Sequence, residues 1–245
     1  MIPIIQIGPL ALPTPGLLVL LGIWLGLSFA ERFAPRHGIP GDRLFNLALT
    51  GLLTGLIGAR LAYVLRYPAA FSANPMDIFS RNPGLLDVWS GVWIGLLGSA
   101  IYMQRKKLPA WQTLDALTPA LAVFAIALSL SHLASGDAYG APADMSWSIE
   151  LWGEHRHPSQ VYATLASSAI LTFLWPTRKC LLDLQPSVYF LSFIALTALG
   201  YLFLETFRGD SQLTYWGIRS TQLFAWTMLA LCLGLLGHRL NFHKP

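Results

Sequence analysis

Charge is what this sequence has least of. Asp, Glu, Lys and Arg make up 11% of its 245 residues while 54% are hydrophobic; ordinary soluble domains carry about a quarter charged residues. A chain so poor in charge cannot cover a surface facing water, which excludes an ordinary soluble domain. Cysteine is scarce as well. Cys180 and Cys232 fall in or beside apolar segments, match no metal-ligand spacing, and read as packed or lipid-facing thiols rather than a disulfide. There is no internal repeat, low-complexity tract or long soluble insertion, and no metal, nucleotide or flavin signature, so no metal or cofactor is expected. A basic n-region followed by a small-residue cleavage site is missing too, so the N-terminus is not read as a removable signal. The net charge is only +4. Its basic residues lie in short clusters between apolar runs, where they read as membrane loops and not as a nucleic-acid patch.

What the sequence does have is long apolar runs. A helix needs about 20 apolar residues to cross the hydrocarbon of a bilayer, and seven stretches qualify: 15–34, 43–66, 86–104, 110–134, 158–177, 186–207 and 217–238. The third is diluted by Asp87 and by glycines. Pro158 and Pro186 are expected at first-turn positions, and Pro119 is expected to kink the fourth span. The expectation is therefore an all-α, polytopic membrane protein of about seven transmembrane helices, with residues 1–245 forming one integral membrane domain. Lys and Arg set its orientation. With the N-terminus outside, the inner loops and tail hold Arg32, Arg36, Arg43, Arg105, Lys106, Lys107, Arg178, Lys179, Arg239 and Lys244. The outer loops then hold Arg66, Arg81, Arg156, Arg208 and Arg219, so the bias favours an outer N-terminus and a cytoplasmic C-terminus.

That orientation gathers polar residues at the outer level. Arg60 and Tyr63 lie in the outer part of the second span, His132 and Asp137 at the outer end of the fourth, and Glu205 and Arg208 at the outer end of the sixth. His157 begins the fifth on the same side. A charge within a span costs about 2.5–3.5 kcal/mol on insertion scales, so Arg60 needs a reason to be there. Snorkelling from a helix end is one reason, and pairing with Glu205 is another. A shared polar pocket fits better with seven polar residues arriving from four helices. Glu205 and Arg208, spaced i,i+3, share a helix face and can simply pair. Arg60 and Arg208 together would clamp an anion, because a guanidinium presents a planar fork to phosphate oxygens; a phospholipid headgroup is the anion such a pocket would meet. Arg105-Lys106-Lys107 reads as a cytoplasmic anchor, and Trp147, Trp152 and Trp216 as interfacial belt residues. The 135–157 connection is long enough to be a small lid or arm, although Asp137, Asp144, Glu150 and Glu154 equally suit a solvated surface.

Three stretches resemble the prolipoprotein diacylglyceryl transferase family: Gly58-Ala59-Arg60-Leu61-Ala62-Tyr63-Val64-Leu65, His157-Pro158-Ser159-Gln160-Val161-Tyr162, and Glu205-Thr206-Phe207-Arg208-Gly209-Asp210. Their order and spacing agree, and the similarity runs from Gly8-Pro9-Leu10 to the last span. The resemblance implies a bacterial plasma (inner) membrane enzyme that moves a diacylglyceryl group from phosphatidylglycerol onto the lipobox cysteine of a prolipoprotein signal peptide. With the polar residues gathered at the outer level, this gives Arg60, Tyr63, Asp137, His157 and Tyr162 as candidate substrate-binding residues and Glu205 and Arg208 as candidate catalytic ones, joined by His132 on its position alone. Two departures stand out. Where the family carries His-Gly-Gly, this chain has Ser90-Gly91-Val92-Trp93-Ile94-Gly95, with Trp93 in the histidine position. Where the family has Arg-Ile-Gly-Asn before Gly-Glu-x-x-Gly, this chain has Ser129-Leu130-Ser131-His132 and then Gly136-Asp137-Ala138-Tyr139-Gly140. Ser129 thus stands for an arginine essential in the family and His132 for an asparagine. An imidazole at the outer level, His132 or His157, suits the role of proton acceptor near neutral pH. Two further readings stay open: a non-catalytic relative that binds phospholipid or lipobox peptide, and a small transporter with Arg60 and Glu205 along its pathway.

Overall fold

The computed structural model describes residues 4–7, 10–80, 82–175, 185–215 and 217–241. Gly8, Pro9, Arg81, Arg178, Lys179, Cys180, Trp216, Lys244 and the end of the fifth expected span (176–177) lie outside the described residues. Lipid offers no partner to a backbone N–H or C=O, so an apolar chain must satisfy these groups within helices. The described residues accordingly form α1 (Thr14–Phe33), α2 (Gly41–Arg66), a short α3 (Pro68–Ala73), α4 (Val88–Arg105) and α5 (Ala110–Ser135). After these come α6 (Ser159–Phe173), α7 (Val188–Leu204) and α8 (Ser220–Asn241). Two small hairpins accompany them, β1 (Ile4–Ile7) with β2 (Leu10–Pro13), and β3 (Ile149–Leu151) with β4 (Glu154–Arg156).

The architecture is that of an all-α polytopic membrane protein. Among the described residues five helices, α1, α2, α5, α7 and α8, are long and apolar enough to cross a membrane. The third and fifth expected spans appear as the shorter α4, of 18 residues, and α6, of 15 residues. Local chemistry explains both. Asp87 does not dilute α4 but starts it, accepting the Ser90 N–H at 3.1 Å as an N-cap. At the far end of α6, Trp175 precedes Pro176, and the residue before a proline disfavours the helical region. Pro158 is the N-cap of α6 and Pro186 lies two residues ahead of α7, both just outside the first turn.

Glycine sets which helices touch. Van der Waals packing and close backbone approach replace the hydrophobic effect between helices in lipid. On α2 and α4, a Cβ added at Gly95 would sit 2.7 Å from the Gly51 carbonyl oxygen, and one at Gly91 2.9 Å from that of Gly55. On α1, a Cβ at Gly26 would lie 2.9 Å from the Ala120 carbonyl oxygen of α5. The bundle therefore contains two close-packed pairs, α1 with α5 and α2 with α4. At one end Ala30, Ala34, Ile39, Leu44 and Ala116 join α1, α2 and α5 in a buried cluster, with Tyr102 and Met103 of α4 against it.

That end also gathers basic residues. Arg32 and Arg36 lie at the close of α1 and in the turn after it, Arg43 opens α2, and Arg105 closes α4. Arg239 of α8 stacks over Trp111 at the start of α5. The opposite end carries the C-termini of α2, α5 and α7 and the N-terminus of α6. The basic end also holds a device invisible in the sequence pattern. Asp115, 2% exposed inside α5, accepts the backbone N–H groups of Ser187 and Phe190 at 2.7 and 2.8 Å. A carboxylate on one helix thus caps the orphan N–H groups of another. Cys232 is buried as a free thiol against Leu191 and Ala195.

Candidate functional site

The first turn of α6 and the strand-like segment after α5 are tied together by the His-Pro-Ser-Gln stretch. Ser159 Oγ donates to the Ala138 carbonyl at 2.6 Å, and Gln160 Nε2 to the Asp137 carbonyl at 2.8 Å. From α7, a 3-10 turn over Glu205–Phe207 delivers Arg208 to the same segment. The Ala141 N–H bonds the Phe207 carbonyl at 2.8 Å, and the Gly209 N–H bonds that of Tyr139 at 2.9 Å. Glycine is needed at both crossing points. A Cβ at Gly140 would fall 2.1 Å from the His157 carbonyl oxygen, and one at Gly209 2.7 Å from that of Gly140.

Beneath this crossing, α5, α6 and α7 enclose a cavity of about 180 Å³. Its polar end is lined by His132, Ser159, Gln160, Glu205 and Arg208, and its depth mainly by apolar groups, Phe124, Ala125, Leu128, Ala166 and Ile170, with Ser167 and Thr197 among them. From His132 to Phe124 the wall descends eight residues of helix, about 12 Å at 1.5 Å per residue. Polar at one end and mostly apolar below, the cavity has the polarity pattern of a phospholipid.

The charged groups at its polar end are held differently from one another. Glu205 is 1% exposed; its Oε1 accepts the Ser211 hydroxyl at 2.7 Å, and its Oε2 has no hydrogen-bond partner among the described residues. Arg208 donates from Nε and Nη2 to the two oxygens of Asp210, both at 2.9 Å, while Nη1 lies 3.7 Å from Glu205 Oε2. Burial works against the Arg208 charge, but the Asp210 bond and the Glu205 charge outweigh it and raise its pKa above the ordinary guanidinium value. His132 is half-buried, with Asp137, Arg208 and Asp210 as its charged neighbours. Ser129, in the family's arginine position, lines the cavity but turns its hydroxyl onto its own helix, to the Ala125 carbonyl at 3.0 Å.

Not every expected residue arrives here. His132, Glu205 and Arg208 meet at the cavity; Arg60 does not. Its Nε and Nη1 donate to the carbonyls of Ile78 and Leu85 at 2.8 and 2.7 Å, and its Nη2 to that of Asp77. The 67–87 connection folds back over α2, and its carbonyls engage all three nitrogens of this guanidinium. Arg60 instead lines a separate open cavity of about 530 Å³ with Leu56, Leu61, Phe79 and Leu86. The expected clamp of Arg60 with Arg208 is therefore absent from this arrangement. Tyr63 belongs to the same neighbourhood, its ring 4.8 Å from Tyr67 and 6.2 Å from Phe71. His157 and Tyr162 sit outside the α5–α6–α7 cavity, packed on Phe207 at 5.1 and 5.9 Å, with Tyr162 Oη accepting from Trp147 Nε1. Asp137 is an exposed turn residue whose carboxylate accepts the Ser135 hydroxyl at 2.7 Å. The 135–157 connection does form an arm, the β3–β4 hairpin, anchored by Arg156 on the Gly140 carbonyl at 3.2 Å and over the Tyr139 ring. Trp93 is 70% exposed on α4 and does not line the α5–α6–α7 cavity.

Sequence reasoning passed over Ser159, Gln160 and Tyr201 as cavity-lining residues. Ser159 and Gln160 had a usable signal, two polar residues in the first turn of an apolar helix immediately after Pro158. Tyr201 had its i,i+4 spacing from Glu205.

A family model described as prolipoprotein diacylglyceryl transferase matches residues 3–237. The phosphatidylglycerol–prolipoprotein diacylglyceryl transferase of Synechococcus elongatus is 25% identical over 248 residues, covering 96% of this chain and 85% of the relative. That of a Nostoc species is 24% identical over 248 residues, covering 96% and 87%. That of Clostridioides difficile is 26% identical over 223 residues, covering 91% and 88%. With nearly its whole length matched, the chain belongs to the prolipoprotein diacylglyceryl transferase family.

Proposed function

We propose that the protein transfers a diacylglyceryl group from phosphatidylglycerol to the lipobox cysteine thiol of a prolipoprotein signal peptide, with the α5–α6–α7 cavity as the lipid site. The observation that carries this reading is the cavity's polarity, with His132, Glu205 and Arg208 at one end and a mostly apolar shaft below. In the reaction a carbon–sulfur bond forms at the glyceryl carbon, the carbon–oxygen bond to phosphate breaks, and glycerol phosphate leaves. Thiolate is the nucleophile, so the thiol proton must go to a base, and His132 is the cavity-lining imidazole. Arg208 takes the departing phosphate charge. Glu205 Oε2, buried and without a donor, accepts from a headgroup hydroxyl. The gathering of basic residues at the opposite end supports a bacterial inner-membrane protein with an outer N-terminus, a cytoplasmic C-terminus and the site on the outer face. Phosphatidylglycerol then comes from the bilayer, and the signal peptide from the same leaflet.

The test is purified protein with labelled phosphatidylglycerol and a lipobox peptide, scored for the thioether mass. Product is expected, with a loss of about 10²–10⁴-fold in His132→Ala, the usual range for a general base; full activity in that variant removes the base assignment. A second reading, a relative that binds phospholipid without turning it over, is favoured by one arrangement. Arg208 is occupied by Asp210, and Ser129 supplies no second cation. Lipid binding without thioether, under conditions where a relative makes it, selects that reading.

A further inference from the structure

Arg208 is the one cation among the described residues lining the α5–α6–α7 cavity, and it is already engaged. Its Nε and Nη2 meet both oxygens of Asp210 at 2.9 Å. Two parallel N–H···O bonds from one guanidinium edge are also the geometry in which arginine takes a phosphate, so Asp210 and a phosphodiester compete for the same edge. Exposure separates the two acidic partners of Arg208. Glu205 is fixed in the wall with 1% of its side chain exposed, whereas Arg208 and Asp210 are 27% and 25% exposed at the mouth. The backbone on either side is pinned, through the Gly209 N–H on Tyr139 and the bridge from Arg208 to Gly140. The Arg208–Asp210 pair can therefore open by side-chain rotation alone.

We propose that Asp210 stands in for phosphate on Arg208 in the lipid-free protein, and that an anionic phospholipid binds by displacing it, which makes Asp210 a determinant of headgroup selectivity. This rests on the reading of the cavity as the lipid site. Only molecules with the pair open are competent, so the apparent affinity is reduced by that fraction. A pair at this exposure is weak, and removing it is expected to tighten phosphatidylglycerol binding by about three- to fivefold. A neutral diacylglycerol has no phosphate to place on Arg208, and its affinity is expected to stay unchanged. Asp210 acts through Arg208, so it is a positioning residue, and its effect falls on KM and not on kcat.

The test is direct binding to the purified full chain in neutral detergent, titrated with phosphatidylglycerol and separately with diacylglycerol. Asp210→Asn is expected to bind phosphatidylglycerol three- to fivefold more tightly, with diacylglycerol unaffected, and Asp210→Glu to restore the wild-type value. Unchanged or weaker phosphatidylglycerol binding in a folded Asp210→Asn protein overturns the proposal, as does an equal gain for both lipids. A measurement on the wild type covers a variant that fails to fold. The Arg208 Nε–H resonance, assigned by its loss in Arg208→Lys, is expected to shift on adding phosphatidylglycerol and not on adding diacylglycerol; no shift at saturation, or no binding at all, also overturns it. None of these readouts requires turnover, so a missing thioether product alongside the expected binding changes sinks the transfer reading alone.

Discussion

Arg60 and Arg208 reach the same end of the bundle on different helices, and their partners differ in kind. Arg60 donates only to backbone carbonyls, those of Asp77, Ile78 and Leu85 in the connection that folds back over α2. Arg208 donates to a carboxylate at the mouth of a cavity. Backbone carbonyls fixed in a folded connection hold a charged donor firmly, since leaving such bonds unmade is costly. A carboxylate 25% exposed at a cavity mouth can be exchanged for another anion. The first arginine therefore shapes the chain, and the second is available to a ligand. The same contrast separates the helix pairs that carry them: α2 and α4 close on each other through glycines, while α5, α6 and α7 diverge enough to leave a shaft.

The largest expected effect is at the exchangeable arginine. Arg208→Ala should lower transfer in the folded fraction by about 10²–10³-fold, the range for removing one preorganised donor to a developing anion. Wild-type turnover in Arg208→Ala would break the contrast. Arg60→Ala should do the reverse, reducing stability by about 2–4 kcal/mol because several carbonyls lose a charged donor, while KM for phosphatidylglycerol in the folded fraction stays the same. A raised KM with unchanged stability would return Arg60 to the lipid site. Smaller still is the filling of the shaft. A Cβ at cavity-lining Gly200 meets no atom within 4 Å, so Gly200→Leu should fold and weaken lipid binding by about tenfold, through lost apolar burial of the ligand. Unaltered lipid affinity would place the lipid elsewhere. Trp93→Ala, at a side chain 70% exposed on α4, should change stability and transfer by less than about 0.5 kcal/mol. A large loss of transfer there would show that the family's histidine position still matters.

The helices were legible because lipid allows an apolar chain few alternatives, and their ends were legible wherever proline or a basic cluster marked them. Asp87 misled, since a carboxylate that caps a helix looks the same in sequence as one that interrupts it. Asp115 was overlooked because its partners, Ser187 and Phe190, are more than seventy positions away. Within the site, His132, Glu205 and Arg208 were legible as polar residues at the outer ends of two apolar runs. Arg60 looked identical to Arg208 by that criterion. What distinguishes them is the path of the 67–87 connection, set by where its carbonyls find donors, and no periodicity records it. His157 and Tyr162 were singled out through the resemblance, yet Ser159 and Gln160 of the same stretch face the cavity.

The central claim is that lipid occupies the α5–α6–α7 shaft below Arg208 and not the open cavity beside Arg60. A phosphatidylglycerol analogue carrying a photoreactive group on its acyl chain, crosslinked to the purified protein and mapped by peptide mass, tests this most directly. Labelling of 124–132, 163–170 and 197–204, lost in Gly200→Leu, is the expected result. Labelling concentrated at 56–61 and 78–86, unchanged by Gly200→Leu, would contradict the account.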